Sequence, residues 1–269
     1  MTLGIIGCGN MGGAILRAVA KKELYNKADI YPSEKNETIC ASLKEEGFVH
    51  AGCSNAESAS CDVLLLAVKP QMLEDTVKGI KDGMDMKKTL IISIAPGFTL
   101  AMLDEMFGKD AMTVRAMPNT PALVGRGVTA VCAGKNTGAE RFRQAEALFS
   151  CCGSVEIIPE KLFDAVVGVS GSAPAYVFMF IDALADAGVR YGMSKAQALR
   201  FAEQAVAGSA ELAIVTGRHP DDLKDMVCSP AGTTIEAVAV LEKSGLRSAV
   251  IEGASAAAEK SAVMGNLKK

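Results

Sequence analysis

The first twelve residues constrain this chain most. An apolar stretch, Leu3-Gly4-Ile5-Ile6, runs directly into Gly7-Cys8-Gly9-Asn10-Met11-Gly12 and then into an alanine-rich segment. Ala14, Ile15, Ala18 and Val19 give that segment an apolar stripe at helical spacing. A strand, a glycine turn and a helix in this order let the backbone approach a pyrophosphate and seat it at a helix N-terminus. Glycine turns also join strands to helices where nothing binds, so the motif draws its weight from the apolar strand before it and the amphipathic helix after it. Together they point to a bound dinucleotide.

Up to about Pro159, strand-like runs alternate with helix-like ones. The strand candidates are Leu3–Ile6, Ala28–Tyr31, Val63–Val68, Leu90–Ile94, Thr113–Ala116, Val128–Ala133 and Val155–Ile158. Most are continuously apolar, which requires cover on both faces, so residues 1–159 are expected to form a parallel, doubly wound, Rossmann-like α/β sheet. Residues 160–269 read as helices throughout, an all-helical second domain. Segments Lys195–Ile214, Thr234–Lys243 and Leu246–Met264 are bounded by Gly217, Pro220 and Gly245. Residues Ala175 to Val189 are apolar almost all round, with Asp182 and Asp186 as the only polar stripe. Such a helix must be enclosed. A helical segment of this length has little capacity to enclose it alone, so a partner subunit is expected, in a homodimer or a larger homo-oligomer built from dimers.

The net charge of −3 argues against a nucleic-acid or anionic-membrane surface. The longest uninterrupted apolar runs are too short to span a bilayer, and no signal peptide precedes the first strand, so a cytoplasmic protein is expected. The eight cysteines are scattered without a C-x-x-C pair, and only His50 and His219 are available to join them, so no metal site is expected. The cysteines read as reduced and mostly buried.

The choice of cofactor turns on the end of the second strand, where an acid binds the adenosine ribose in NAD-dependent proteins. Asp29-Ile30-Tyr31 is followed by Pro32-Ser33-Glu34-Lys35-Asn36, which puts Pro32 where the acid would stand. The Ser33 hydroxyl and Lys35 ammonium suit a 2′-phosphate, which favours NADPH while leaving NADH possible. Ser33 reads equally well as a helix cap, with Glu34 and Lys35 as ordinary surface charges.

Ligands of such sheets bind beyond the carboxyl ends of the strands. There the chain places Val68-Lys69-Pro70-Gln71, Ala95-Pro96-Gly97 and Met117-Pro118-Asn119-Thr120-Pro121. Pro70 also suits the first position of a helix, whereas Lys69, directly after a buried strand, must face the cleft or be paired. In the second half, Cys228-Ser229-Pro230-Ala231-Gly232-Thr233-Thr234-Ile235-Glu236 is a loop of small residues feeding a helix. Thr233 and Glu236 have capping-box spacing. Ser229, Gly232 and Thr234 are left over, and hydroxyls with free N–H groups at a helix N-terminus form a site for a small carboxylate.

These segments, together with Ser170-Gly171-Ser172-Ala173-Pro174-Ala175-Tyr176, resemble pyrroline-5-carboxylate reductases along the whole chain. The family often has glycine where this chain has Ala173 and Ala231. The resemblance implies hydride transfer from NAD(P)H to the C=N carbon of 1-pyrroline-5-carboxylate, giving L-proline. It further implies that Ser229 and the N–H groups of Gly232 and Thr233 hold the substrate carboxylate. Thr234, as the catalytic residue, would hydrogen-bond the ring nitrogen, orienting the ring or relaying a proton from water. The expected cofactor residues are Gly7, Gly9, Asn10, Met11, Gly12, Ser33, Lys35, Asn55, Val68, Lys69, Pro70, Ala95 and Asn119. Two rivals have different demands. A β-hydroxyacid dehydrogenase needs a lysine in the Ser170–Tyr176 region, which contains none, and a non-catalytic NADP-binding regulator needs no ordered substrate loop.

Overall fold

A computed structural model of the chain describes residues 1–266. The packing divides it into two units: Met1–Gly171 with the end of the last helix from Ala256 onward, and Ser172–Ser255.

The first unit is built on one seven-stranded sheet. In chain order the strands are β1 (Leu3–Ile6), β2 (Ile30–Ser33), β3 (Val63–Leu66), β4 (Leu90–Ser93), β5 (Met112–Met117), β6 (Gly127–Ala133) and β7 (Gly153–Ile157). Their spatial order is β2-β1-β3-β4-β5-β6-β7. The helices between them are α1 (Asn10–Lys21), α2 (Glu37–Glu45), α3 (Asn55–Ala59), α4 (Leu73–Lys78), α5 (Leu100–Phe107) and α6 (Ala139–Ser150). The continuous apolarity of the strands has the expected cause. Leu3, Ile5, Leu65 and Ile92 pack with Ile15, Leu16 and Leu148 in one buried cluster. Their neighbours Ile6, Leu64, Leu66 and Ile91 pack with Leu73, Phe98 and Leu103 in a second, on the other face of the pleat.

The sheet is not wholly parallel, contrary to the reading from sequence. β6 runs antiparallel to β5, with Arg115 opposite Cys132, and β7 pairs parallel to β6. A parallel return needs a crossover of a dozen or more residues. The short segment from Pro118 to Arg126, mostly a 3-10 turn over Thr120–Val124, does not provide one.

After β7 come α7 (Phe163–Val166) and one π-helical turn over Val167–Gly171. Buried Arg115 anchors this segment to the sheet. It pairs with Glu160 at 3.0 Å and stacks on the Phe163 ring at 4.4 Å. The remaining helices are α8 (Ala173–Arg190), α9 (Lys195–Thr216), α10 (Pro220–Val227), α11 (Thr233–Lys243) and α12 (Leu246–Asn266). The far end of α12 docks on the first unit, where the Ser261 hydroxyl donates to Asp164 at 2.7 Å.

The second unit does not enclose its apolar helix. Ala185 of α8 is fully buried against α9, while Phe178 and Met179 are 65% and 74% exposed. The helical stretch Glu160–Arg190 is long and apolar enough, by length and composition, to cross a membrane. Counting uninterrupted apolar runs missed this, because Ser170, Gly171, Ser172 and Pro174 break the run without adding a charge. Asp182 and Asp186 are satisfied within the unit, since Lys195 binds each at 2.6 Å.

Candidate active site

The glycine turn closes as its residue types require. Gly7 takes a φ of +94°, and a Cβ there would lie 2.8 Å from the Ala67 carbonyl. Its N–H donates to the Ser33 carbonyl at 2.9 Å, tying the turn to the end of β2. α1 begins with Gly9 as its N-cap and no side-chain cap, which leaves the N–H groups at Asn10, Met11 and Gly12 to be satisfied from outside. Above Gly9 there is open space, with no heavy atom within 4 Å of a built Cβ. An uncapped helix start under an open cradle fits a pyrophosphate. The Cys8 thiol within the turn is buried, and burial, then the neighbouring Glu34 carboxylate, push its pKa far above the usual thiol range. It is no nucleophile.

At the end of β2 the structure corrects the sequence reading. The strand continues through Pro32 to Ser33, so the acid position falls on Glu34 rather than Pro32. Nor is Glu34 an ordinary surface charge: its carboxylate accepts the Cys8 N–H at 2.8 Å on Oε2, and the Lys35 and Asn36 N–H groups at 2.8 and 2.9 Å on Oε1. Ser33 does not cap α2. Asn36 does, accepting from the Thr38 and Ile39 N–H groups. Ser33 is 6% exposed and donates its hydroxyl to Asn55 Oδ1 at 2.6 Å, while Lys35 is exposed.

At the ends of the next strands, Lys69 is exposed and serves as N-cap of a 3-10 turn begun by Pro70, with Val68 half-buried before it. Ala95 is buried after β4. Asn119, 9% exposed, has both polar ends engaged. Its Oδ1 accepts the Val128 N–H at 3.0 Å, and its Nδ2 donates to the Ser170 carbonyl in the π-helical turn at 3.2 Å. Neither this brace nor the π-turn was visible from sequence.

In the second unit, Ser229-Pro230-Ala231-Gly232 forms a tight turn in which the Gly232 N–H donates to the Ser229 carbonyl at 3.0 Å. Ala231 takes a φ of +57°, in the region glycine favours. A side chain at Gly232 would collide with the Ser229 hydroxyl, whose oxygen lies 2.2 Å from a built Cβ. Glycine here therefore lets that hydroxyl lie against the backbone. The expected capping box is absent. Gly232 is the N-cap of α11, Thr233 is its first helical residue, and no side chain caps the helix. The turn extends Gly232 (φ −84°, ψ 168°) and starts the helix one residue earlier than Thr233–Glu236 spacing suggests. Ser229, Gly232, Thr233 and Thr234 thus surround an uncapped helix N-terminus.

All eight cysteines are free; Cys8, Cys61, Cys132 and Cys152 are buried and the other four half-buried. Among the described residues no group of His, Cys, Asp and Glu is arranged to hold a metal ion.

Residues 160–264 match the family model for pyrroline-5-carboxylate reductase dimerisation, and residues 2–97 match a model described as NADP oxidoreductase, coenzyme F420-dependent. The chain is 46% identical over 260 residues to the pyrroline-5-carboxylate reductase of Escherichia coli K12, covering 96% of each. The chain belongs to the pyrroline-5-carboxylate reductase family. The Coxiella burnetii reductase structure superimposes with a TM-score of 0.91 at 32% identity, covering 98% of both chains. The Plasmodium falciparum pyrroline carboxylate reductase, solved with NADP bound, does so with a TM-score of 0.88 at 33% identity and the same coverage. The family's fold is thus a Rossmann-like sheet followed by a helical dimerisation region, and the exposed face of α8 lies within that region.

Proposed function

We propose that this member of the family reduces 1-pyrroline-5-carboxylate to L-proline at the Ser229–Thr234 loop. The observation that carries the reading is the uncapped start of α11 behind the Ser229–Gly232 turn. The N–H groups of Thr233 and Thr234, left without a side-chain cap, with the Ser229 hydroxyl beside them, suit a small carboxylate, and the Gly232 N–H would have to turn to it from the Ser229 carbonyl. This fixes the ring in one orientation. Thr234, the second residue of α11, offers its hydroxyl to the ring nitrogen. As a weak acid it orients the ring or passes on a proton from water rather than acting as sole proton source.

NADPH, or NADH, supplies the hydride that adds to the C=N carbon, while the ring nitrogen ends protonated. Gly7, Gly9, Asn10, Met11 and Gly12 would hold its pyrophosphate, Ser33, Lys35 and Asn55 would lie at its adenosine end, and Val68, Lys69, Pro70, Ala95 and Asn119 would wall the cleft. A relative solved with NADP bound supports a cofactor of this type. A homodimer, alone or within a larger assembly, would cover α8, and a cytoplasmic location accords with eight free cysteines.

The test is consumption of NADPH or NADH by the purified protein on addition of 1-pyrroline-5-carboxylate, with proline as product. No consumption with either donor, in folded protein, would refute the reading.

A further inference from the structure

Glu34 bridges two elements that a dinucleotide must contact together. Its Oε2 takes the Cys8 N–H of the glycine turn, and its Oε1 takes two N–H groups at the entry to α2. Three donors fix the carboxylate beside the cradle, at the end of the strand next to β1, where the adenosine ribose of a dinucleotide lies in this type of sheet. An ionised carboxylate has about four acceptor sites and no donor. With three filled, it has room for a hydroxyl donor and none for an anion. The groups on the phosphate-favouring side are weaker than the sequence suggests, because the Ser33 hydroxyl is buried and given to Asn55. Only Lys35 remains exposed there to offset the carboxylate.

We propose that Glu34 is a specificity-determining residue for the hydride donor: it accepts a ribose hydroxyl of NADH and repels the 2′-phosphate of NADPH, narrowing the margin by which this chain takes NADPH. The proposal rests on the reading that the chain is a nicotinamide-dependent reductase.

The test is calorimetric binding of 5′-AMP and adenosine 2′,5′-bisphosphate to the full chain and to Glu34→Gln and Glu34→Ala, with melting curves to confirm folding. A 2′-phosphate carries between one and two negative charges, and at roughly 5 Å in water its repulsion by one carboxylate corresponds to about a tenfold loss of affinity. Both variants should therefore bind the bisphosphate about five- to tenfold better relative to AMP than the parent does, the range allowing for screening by salt. The ratio of kcat/KM for NADPH over NADH should rise in parallel. An unchanged ratio, or equal weakening of both nucleotides, would make Glu34 a brace for the glycine turn and overturn the proposal. A parent protein that binds neither nucleotide nor NADH would instead refute the reductase reading itself.

Discussion

Asn119 offers a direct test of how the cleft is built, because the structure gives its side chain a different task from the one its position suggests. Replacing it with alanine removes the bonds to the Val128 N–H and the Ser170 carbonyl. A hydrogen bond contributes about 1 kcal/mol net, and each orphaned partner adds part of a desolvation penalty of about 1–3 kcal/mol. Val128 and Ser170 are half-buried, so water repairs some of that loss. The expected total is about 2–3 kcal/mol, or a melting temperature lower by roughly 5–10 °C for a unit of this size. Asn119→Asp keeps an acceptor for Val128 but turns lone pairs toward the Ser170 carbonyl, so it should destabilise at least as much. Thermal melts, paired with NADPH titrations followed by cofactor fluorescence, separate bracing from direct contact. A melting temperature within about 2 °C of the parent, combined with strongly weakened NADPH binding, would show that the side chain serves the cofactor and that the two bonds count for little.

Thr234→Val should lower kcat/KM by roughly ten- to a thousandfold, corresponding to about 1.4–4 kcal/mol of lost transition-state interaction, with the melting temperature and NADPH affinity nearly unchanged. Thr233→Val should leave stability within about 0.5 kcal/mol of the parent, since no side chain caps α11; a loss near 1 kcal/mol on denaturant unfolding would restore the capping reading. Ala231→Gly relieves a left-handed backbone at +57° worth about 1–2 kcal/mol against a glycine entropy cost of about 0.5–1 kcal/mol, so unfolding should show a gain of up to about 1.5 kcal/mol rather than a loss. Phe178→Asp leaves a single chain little changed, because the ring is 65% exposed there, yet it should break self-association in light scattering if a second copy covers α8; an unaltered dimer would place the interface elsewhere.

The first unit was legible in sequence wherever burial alone set the pattern. Strands whose residues all face a core show as unbroken apolar runs, and all seven were found with both ends within two residues, β2 alone being shifted as a whole. β2 was displaced because Pro32 reads as a strand terminator. It lies on an edge strand, where a missing backbone donor is tolerated, so the strand continues to Ser33. The direction of β6 was hidden because composition does not encode strand polarity. The length of the preceding connection does, and the segment from Met117 to Gly127 was too short for a crossover. α10 was not expected, because Gly217 and Pro220 were both read as stop signals for the helix before them. Gly217 does end α9, in the left-handed conformation, but Pro220 begins the next helix, with His219 Nδ1 as its cap.

At the site, residue types were readable and their register was not. Thr233 and Glu236 have the spacing of a capping box, but spacing alone does not say which residue ends the turn. Pro230, with Ala231 at positive φ, closes the turn at Gly232 and starts α11 there, leaving both threonines inside the helix. A side-chain cap is worth about 1 kcal/mol, and this helix begins without one. The loop also holds a non-glycine residue in a conformation that glycine adopts at lower cost. Two local departures from the most stable arrangement, four residues apart at most from every hydroxyl in Ser229–Thr234, mark a segment shaped by something other than stability. The same reasoning applies at α1, where a helix again starts uncapped beneath open space. Each unit thus presents donors its own side chains do not fill, and each asks for an anionic group, a pyrophosphate at one and a carboxylate at the other.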